Sequence, residues 1–342
     1  MLVKFSVLIG YLSCLPWIAW STDGSLNMML TYLHAVGVCI LLYVLFFASA
    51  TLAEQKTNDL YGLRHILFNV ELPPKTMWFN MGLWDKKGIR FPTACENLVH
   101  AVVSKMDMKA GSSVLDVGFG CGDSCILLAE TYHCQVTGLT NELSQWKIAE
   151  KRVSSQEHLR NKIQLIHGSA DNIHQWLPPT TSFDYILSID SAYHYNTRWS
   201  FLKDARDKLN IGGVVGLYDL ALDDSFANGT RSPFATLFLK CICKAMHVPI
   251  RNLVTVTEYK RIVSDLAYLN VQVQPLDRRV VFGGLANTLA QLDVTTKQYG
   301  IGVSLSNKLF LKASRFIFDV LAKSSIFIPI IVICRKEGTE TM

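Results

Sequence analysis

Between Ser112 and Glu130 the chain reads SSVLDVGFGCGDSCILLAE, which sets Gly118, Gly120 and Gly122 at every second position behind an apolar run carrying Asp116. A strand that feeds a glycine turn and then a helix N-terminus lets bare backbone approach a ligand with no Cβ in the way. The dinucleotide fingerprint G-x-G-x-x-G places its third glycine one residue later than Gly122. A nicotinamide dinucleotide site also wants an acid after the second strand, where this chain reads GLTNELSQ. A second chemical cluster closes the fourth apolar run, LSIDSAYHYNTRW, with Asp190, Tyr193 and His194. Open α/β sheets put reacting groups at the carboxyl ends of their strands. A neutral imidazole takes up a proton near the working pH, so His194 suits a general base, with Tyr193 or an Asp beside it to orient it. Aromatic residues after a buried strand also simply pack, and alignment of two reactants alone accelerates many transfers.

The elements that must hold these residues alternate between strand-like and helix-like runs, the pattern of an open α/β sheet. SVLDVG (Ser113–Gly118), CQVTGLT, IQLIHGSA, FDYILSID and VVGLYDL read as five strands, the last following a turn at NIGG. VQVQPLD and SIFIPIIVICRK supply a sixth and a seventh, and helices are expected over roughly Asp123–Tyr132 and across NELSQWKIAEKRVSSQ. The predicted fold is a Rossmann-like, doubly wound α/β sheet of seven mostly parallel strands.

LDVGFGCGDS resembles the first motif of the class I S-adenosylmethionine-dependent methyltransferases, and the resemblance runs from about Trp78 to Lys336. It implies that Asp116 anchors the amino end of the cofactor through water or backbone while Gly118, Gly120 and Gly122 pass close to its sulfonium and carboxylate. Thr140 followed by Gln145 is similar to the GLT…Q segment of the cyclopropane fatty acid and mycolic acid synthases, which serves the ribose; hydroxyl and amide both hydrogen-bond a diol without charge. The resemblance places Ala170 and Asp171 around the adenine, although an Asp there also suits a helix cap. It sets Asp190 and Ser191 along the methionine side, with Tyr193, His194 and Tyr195 facing the transferred methyl. WFNMGLW is similar to the N-x-G-x-W segment of tocopherol, sterol and cyclopropane-type methyltransferases, which folds over the cofactor as a cap through Gly82 and Trp84. An interfacial linker helix is the other reading of that stretch. The family's usual acid in the fourth-strand motif is replaced by Ser191-Ala192-Tyr193, which counts against alkene cyclopropanation.

Ahead of this core, Met28–Ala53 contains no Lys, Arg, Asp or Glu. About 20 apolar residues span a bilayer, so this segment reads as a transmembrane helix. Phe5–Trp20 reads as a first membrane helix or as a signal peptide with a poor cleavage site. Lys56, Arg64, Lys75, Lys86, Lys87 and Arg90 follow, and the positive-inside rule turns the domain toward the cytosol, with the endoplasmic reticulum as the default membrane. The expected organisation is an anchor over 1–54, a linker and cap over 55–110, and a methyltransferase domain over 111–336 with a substrate lid at 223–265.

Nine scattered cysteines without a C-x-x-C pair argue for reduced, mostly buried thiols and no metal site. The net charge of +5 comes with no basic stripe carrying interleaved aromatics, so no nucleic acid partner is expected. The lid region and NKLFLKASRFIFDVLAK carry apolar faces with basic residues, which either lie on a bilayer or cover the sheet. The functional expectation is transfer of a methyl group from S-adenosylmethionine to O, N or C of a small lipidic or amphiphilic acceptor. A non-catalytic, cofactor-binding membrane scaffold or sensor is the alternative.

Overall fold

The computed structural model describes residues 75–228, 233–298 and 304–337, with Gly37 alone before them. The chain divides at Thr57/Asn58, and every described residue but Gly37 belongs to the second unit. Apart from Gly37, both anticipated membrane segments, Phe5–Trp20 and Met28–Ala53, lie outside the described residues. Among the described residues no helix is long and apolar enough to cross a membrane.

Seven strands form one sheet: β1 (Ser113–Val117), β2 (Gln135–Thr140), β3 (Ile163–His167), β4 (Phe183–Ile189), β5 (Leu209–Leu222), β6 (Tyr268–Pro275) and β7 (Phe327–Lys336). Their spatial order is β3-β2-β1-β4-β5-β7-β6. β1 through β5 pair in parallel, and β7 inserts antiparallel between β5 and β6. This is the predicted Rossmann-like α/β architecture. The strand order reverses between β1 and β4, which opens a crevice at their carboxyl ends where such sheets bind ligands.

Helices cover both faces. On one, α1 (Phe91–Val103) lays Cys95, Leu98, Val99 and Val102 onto the sheet, and α2 (Asp123–Glu130) adds Cys125 and Leu128. On the other, α4 (Arg198–Lys208) buries Phe201, Leu202 and Ala205, beside Tyr259 and Val263 of α6 (Val256–Asp265). α3 (Leu143–Ser154), α5 (Pro233–Ala245), α7 (Gly284–Gln298) and α8 (Leu305–Lys323) complete the set.

Two local expectations change. NIGG is not a turn ahead of the fifth strand: β5 already starts at Leu209, which pairs with Phe183, and the register then slips before Tyr185 meets Val214. Gly212 absorbs the irregularity at φ +74°, a left-handed value that glycine adopts without strain. The segment 223–265 is also not lid throughout. Its last helix, α6, is capped by Thr255 and has Tyr259 and Val263 fully buried, so it belongs to the core layer.

Candidate active site

The loop after β1 takes the shape its glycines permit. Gly118, Gly120 and Gly122 have φ of +81°, +61° and +92°, a region costly for other residues. A side chain at Gly118 would overlap Ser191, and one at Gly122 would press on Ala149 of α3 at 3.0 Å. The backbone amides of Phe119, Gly120 and Cys121 have no acceptor among the described residues. Such a run of open donors ahead of a helix N-terminus suits a carboxylate or another anionic group. The residues of this loop therefore fit the amino-acid end of S-adenosylmethionine.

Asp116 is buried in β1, and its Oδ2 accepts the Ser124 hydroxyl at 2.5 Å and the Cys125 thiol at 3.3 Å. Burial raises its pKa to about 6 against the lowering effect of those two bonds. Asp116 thus ties the strand to the first turn of α2. The outer side of the loop is held by Arg152 of α3, which donates to Cys121 O at 2.7 Å and forms a two-pronged ion pair with Asp123, both contacts at 2.7 Å. Nothing in the sequence near Arg152 announces this role, because its partners lie about thirty residues upstream.

Thr140 and Gln145 are both buried beside this loop, at the end of β2 and in the first turn of α3. Thr140 Oγ1 accepts the Glu142 amide at 3.4 Å. Ala170 and Asp171 begin a short 3₁₀ turn, whose cap is Ser169 rather than Asp171. Asp171 instead accepts the Asn196 amide at 2.6 Å and so links the end of β3 to the turn after β4.

That turn carries the second cluster. Asp190 follows β4 directly, at φ +60°. Its Oδ1 accepts the Tyr193 hydroxyl at 2.6 Å and its Oδ2 accepts the Met81 amide at 2.7 Å. Desolvation raises the Asp190 pKa to about 7, with Asp219 adding repulsion and the two hydrogen bonds opposing. The sign of the consequence follows from linkage. A carboxyl raised from about 4 to about 7 stabilises the fold most below pH 4, and that contribution is lost as pH rises through 7. Between pH 4 and 7 the wild-type melting temperature is therefore expected to fall more steeply than that of Asp190→Asn. Parallel slopes by calorimetry would refute the assignment.

Tyr193 is almost fully buried and positions Asp190, and its ring lies 4.1 Å from that of His194, centroid to centroid. His194 is half-buried, with Nδ1 3.4 Å from His247 O at the end of α5. Tyr195 departs from the expectation that it faces the transferred group. Its hydroxyl is held by Val117 O at 3.0 Å and Ser188 Oγ at 2.9 Å, and its ring packs edge-on against Phe201.

A strap, residues 75–85, joins the two clusters. Met77 N donates to Asp123, Phe79 lies 3.3 Å from where a Gly120 side chain would start, and Met81 N donates to Asp190. The N-x-G-x-W spacing has a physical purpose here. Asn80 accepts the Gly82 amide at 2.9 Å and donates to Cys95 O at 3.3 Å. Gly82 turns at φ +74° against Ala94. Trp84 donates through Nε1 to Met81 O and through its amide to Val280 O, and its ring covers Gly284. The stretch forms no helix over residues 75–85, and it runs against both the glycine loop and the Asp190 turn.

Beneath the Tyr193–Tyr195 turn sits a buried charge network that sequence reasoning missed. Arg198 donates to Asp219 at 2.7 Å, to Leu220 O at 2.9 Å and to Asn252 O. Asn252 donates to the carbonyls of Tyr193 and Tyr195 at 3.0 and 2.7 Å. The one available signal was an acid, Asp219, inside an apolar strand, since buried carboxylates are paired. The described cysteines are all free, and burial pushes the Cys95 and Cys125 thiols well up. Those two supply no thiolate nucleophile.

Comparison with known proteins agrees with this architecture. Residues 49–232 match the mycolic acid cyclopropane synthetase family. Among curated proteins, erythromycin 3''-O-methyltransferase of Saccharopolyspora erythraea is 26% identical over 206 residues, 60% of this chain and 66% of that one. A sterol 24-C-methyltransferase of Aspergillus fumigatus is 29% identical over 142 residues, 42% of this chain and 37% of the relative. The match thus covers less than two thirds of either relative. Among solved structures, a cyclopropane synthase of Mycobacterium tuberculosis superposes with a TM-score of 0.64 at 14% identity, covering 80% of this chain and 94% of its own, a likeness of fold. With more than half of its length inside the family match, the chain belongs to the mycolic acid cyclopropane synthetase family.

Proposed function

We propose that this chain is an S-adenosylmethionine-dependent methyltransferase acting on O, N or C of a small lipidic or amphiphilic acceptor. The observation that carries the reading is the pairing of two clusters at the switch point of the sheet. The open amides of Phe119–Cys121 lie on one side and the Asp190–Tyr193–His194 turn on the other, with the strap closing over both. When bound, S-adenosylmethionine supplies an electrophilic methyl on a sulfonium. The glycine loop holds its amino-acid end, Thr140 and Gln145 serve the ribose, and Ala170 and Asp171 border the adenine.

The remaining chemistry belongs to side chains around the acceptor. His194, half-exposed, takes the acceptor proton as the nucleophile attacks. Tyr193 acts through Asp190: its hydroxyl orients a carboxyl that accepts from the strap, so the strap's position is linked to the reacting turn. Water exclusion by the strap strengthens these interactions. The named relatives, a macrolide O-methyltransferase and a sterol C-methyltransferase, support an amphiphilic acceptor. Replacement of the fourth-strand acid by Ser191-Ala192-Tyr193 favours methyl transfer over alkene cyclopropanation. The apolar segment Met28–Ala53 is read as the membrane anchor, with the domain facing the cytosol at the endoplasmic reticulum.

Label transfer tests the proposal. Full-length protein in detergent is incubated with methyl-labelled S-adenosylmethionine and a host membrane extract, then partitioned between organic and aqueous phases. Label in the organic phase that disappears with His194→Ala is the expected result. Aqueous label alone would reject the lipidic acceptor. Binding without transfer would favour the scaffold reading.

A further inference from the structure

We infer that the outward face of α8 is a docking surface for an anionic lipid bilayer. This deepens the proposed lipidic acceptor and rests on that reading only for its purpose, not for its observations. α8 is two-sided. Leu311 and Leu321 are buried, Phe318 stacks on Phe282, and Phe310 and Ile317 pack onto the same core. A helix that only covered a sheet would present a polar outer face. Instead, the opposite face exposes Leu305 at 73% and Phe316 at 66%. Neighbouring α7 exposes Val294 at 62%.

The charges around these apolar residues select the partner. The side chains of Lys308, Lys312 and Arg315 are exposed and make no ion pair or hydrogen bond among the described residues. Asp293 and Asp319 border the same groove as Lys312, Arg315 and Phe316, so the bases outnumber the acids there without standing alone. Lys323 is paired with Asp319 at 2.7 Å. Leu305, Lys308, Lys312, Arg315 and Phe316 follow the three-and-four spacing that puts them on one side of a helix. Large apolar residues among unpaired bases match the boundary of an anionic bilayer, where acyl chains take the first and headgroups the second. A protein partner of ordinary interface composition would favour fewer lysines.

The placement also gives the surface a use. α8 packs on the π-helical turn Arg279–Gly283 through Phe318 and Phe282, and that turn receives the Trp84 amide at Val280 O. α8 and the strap both contact this turn and share one core cluster, so a bilayer on α8 would lie on the same face of the sheet as the cap over the proposed site.

The test is hydrogen exchange of the full chain with phosphatidylcholine vesicles, with and without phosphatidylserine. Each base near an anionic surface is worth about fivefold in affinity, so three contribute about a hundredfold. Slowed exchange across Leu305–Lys323 is expected with phosphatidylserine alone, reversed by salt and lost in Lys308→Glu/Lys312→Glu/Arg315→Glu. Exchange of β7 and α1 checks the fold of that variant, and Leu305→Ser/Phe316→Ser gives a second variant should it fail to fold. Equal protection in both vesicle types overturns the inference. So does protection that grows with protein concentration in the absence of lipid, which would mark a second copy as the occupant. Methyl transfer in detergent with no α8 protection would sink the docking surface alone. Protection without transfer would sink the enzymatic reading alone.

Discussion

Arg198→Met is expected to lower the unfolding free energy by about 3–5 kcal/mol, the range for removing one member of a buried ion pair. Arg198 and Asp219 are both fully buried. The guanidinium lies 4.6 Å and 4.5 Å from the ring centres of Trp199 and Tyr259. Without it, Asp219 keeps only the Tyr259 hydroxyl at 2.7 Å and the Leu220 amide at 2.8 Å. An ionised carboxylate left in that setting is the main cost, so Arg198→Met/Asp219→Leu should recover part of the loss. Denaturant midpoints of the two variants decide this, and an undiminished loss in the double variant would show that packing, not charge, dominates. Activity should fall further than stability implies. Arg198 N and its guanidinium both engage Asn252, and Asn252 supports the carbonyls of the Tyr193–Tyr195 turn that carries the proposed base. A drop in turnover at temperatures where the variant remains folded is the result a purely structural role would not produce.

Gly118→Ala carries the second large effect, and it should appear in cofactor affinity. The left-handed backbone alone costs about 1–2 kcal/mol for an alanine. Crowding adds to this, since the new Cβ would overlap Ser191 Oγ, lie 2.5 Å from Ser191 Cβ and 3.1 Å from the Tyr195 hydroxyl. Ser191 begins the turn that bears Tyr193 and His194, so the substitution pushes the two halves of the site apart. Roughly a hundredfold loss in S-adenosylmethionine affinity by calorimetry is expected, equal to about 2.7 kcal/mol. Gly88→Ala is the control for strain without crowding, because Gly88 has φ +77° and nothing within 4 Å of the added carbon. Ser191→Gly in the Gly118→Ala background should restore part of the affinity. Equal affinity in Gly118→Ala and wild type would remove the glycine loop from the binding site.

What the sequence by itself determined about this protein is what short-range physics writes. Apolar runs mark the central strands because burial on both faces demands them, whereas the edge strands β3 and β6 are half-exposed and read from sparser apolar positions. The three glycines marked a loop of left-handed backbone because no other residue adopts that conformation cheaply. The N-x-G-x-W spacing also held, since Asn80 and Gly82 act on one another two residues apart.

Tertiary structure decided where the polar side chains find partners. Asp116, which the resemblance sets near the cofactor's amino end through water or backbone, has partners that only the fold supplies: Ser124 and Cys125 of the next helix. Tyr195 bonds back to β1, 78 residues away in the chain. The strap reaches Asp190 across 109 residues through a backbone amide, a donor every non-proline residue carries and no sequence motif records. Arg198 meets Asp219 and Asn252, 21 and 54 residues away in the chain, only through the fold. Local conformation follows from steric and burial rules acting on neighbours, whereas hydrogen-bond partners are set by which distant segments the sheet brings together.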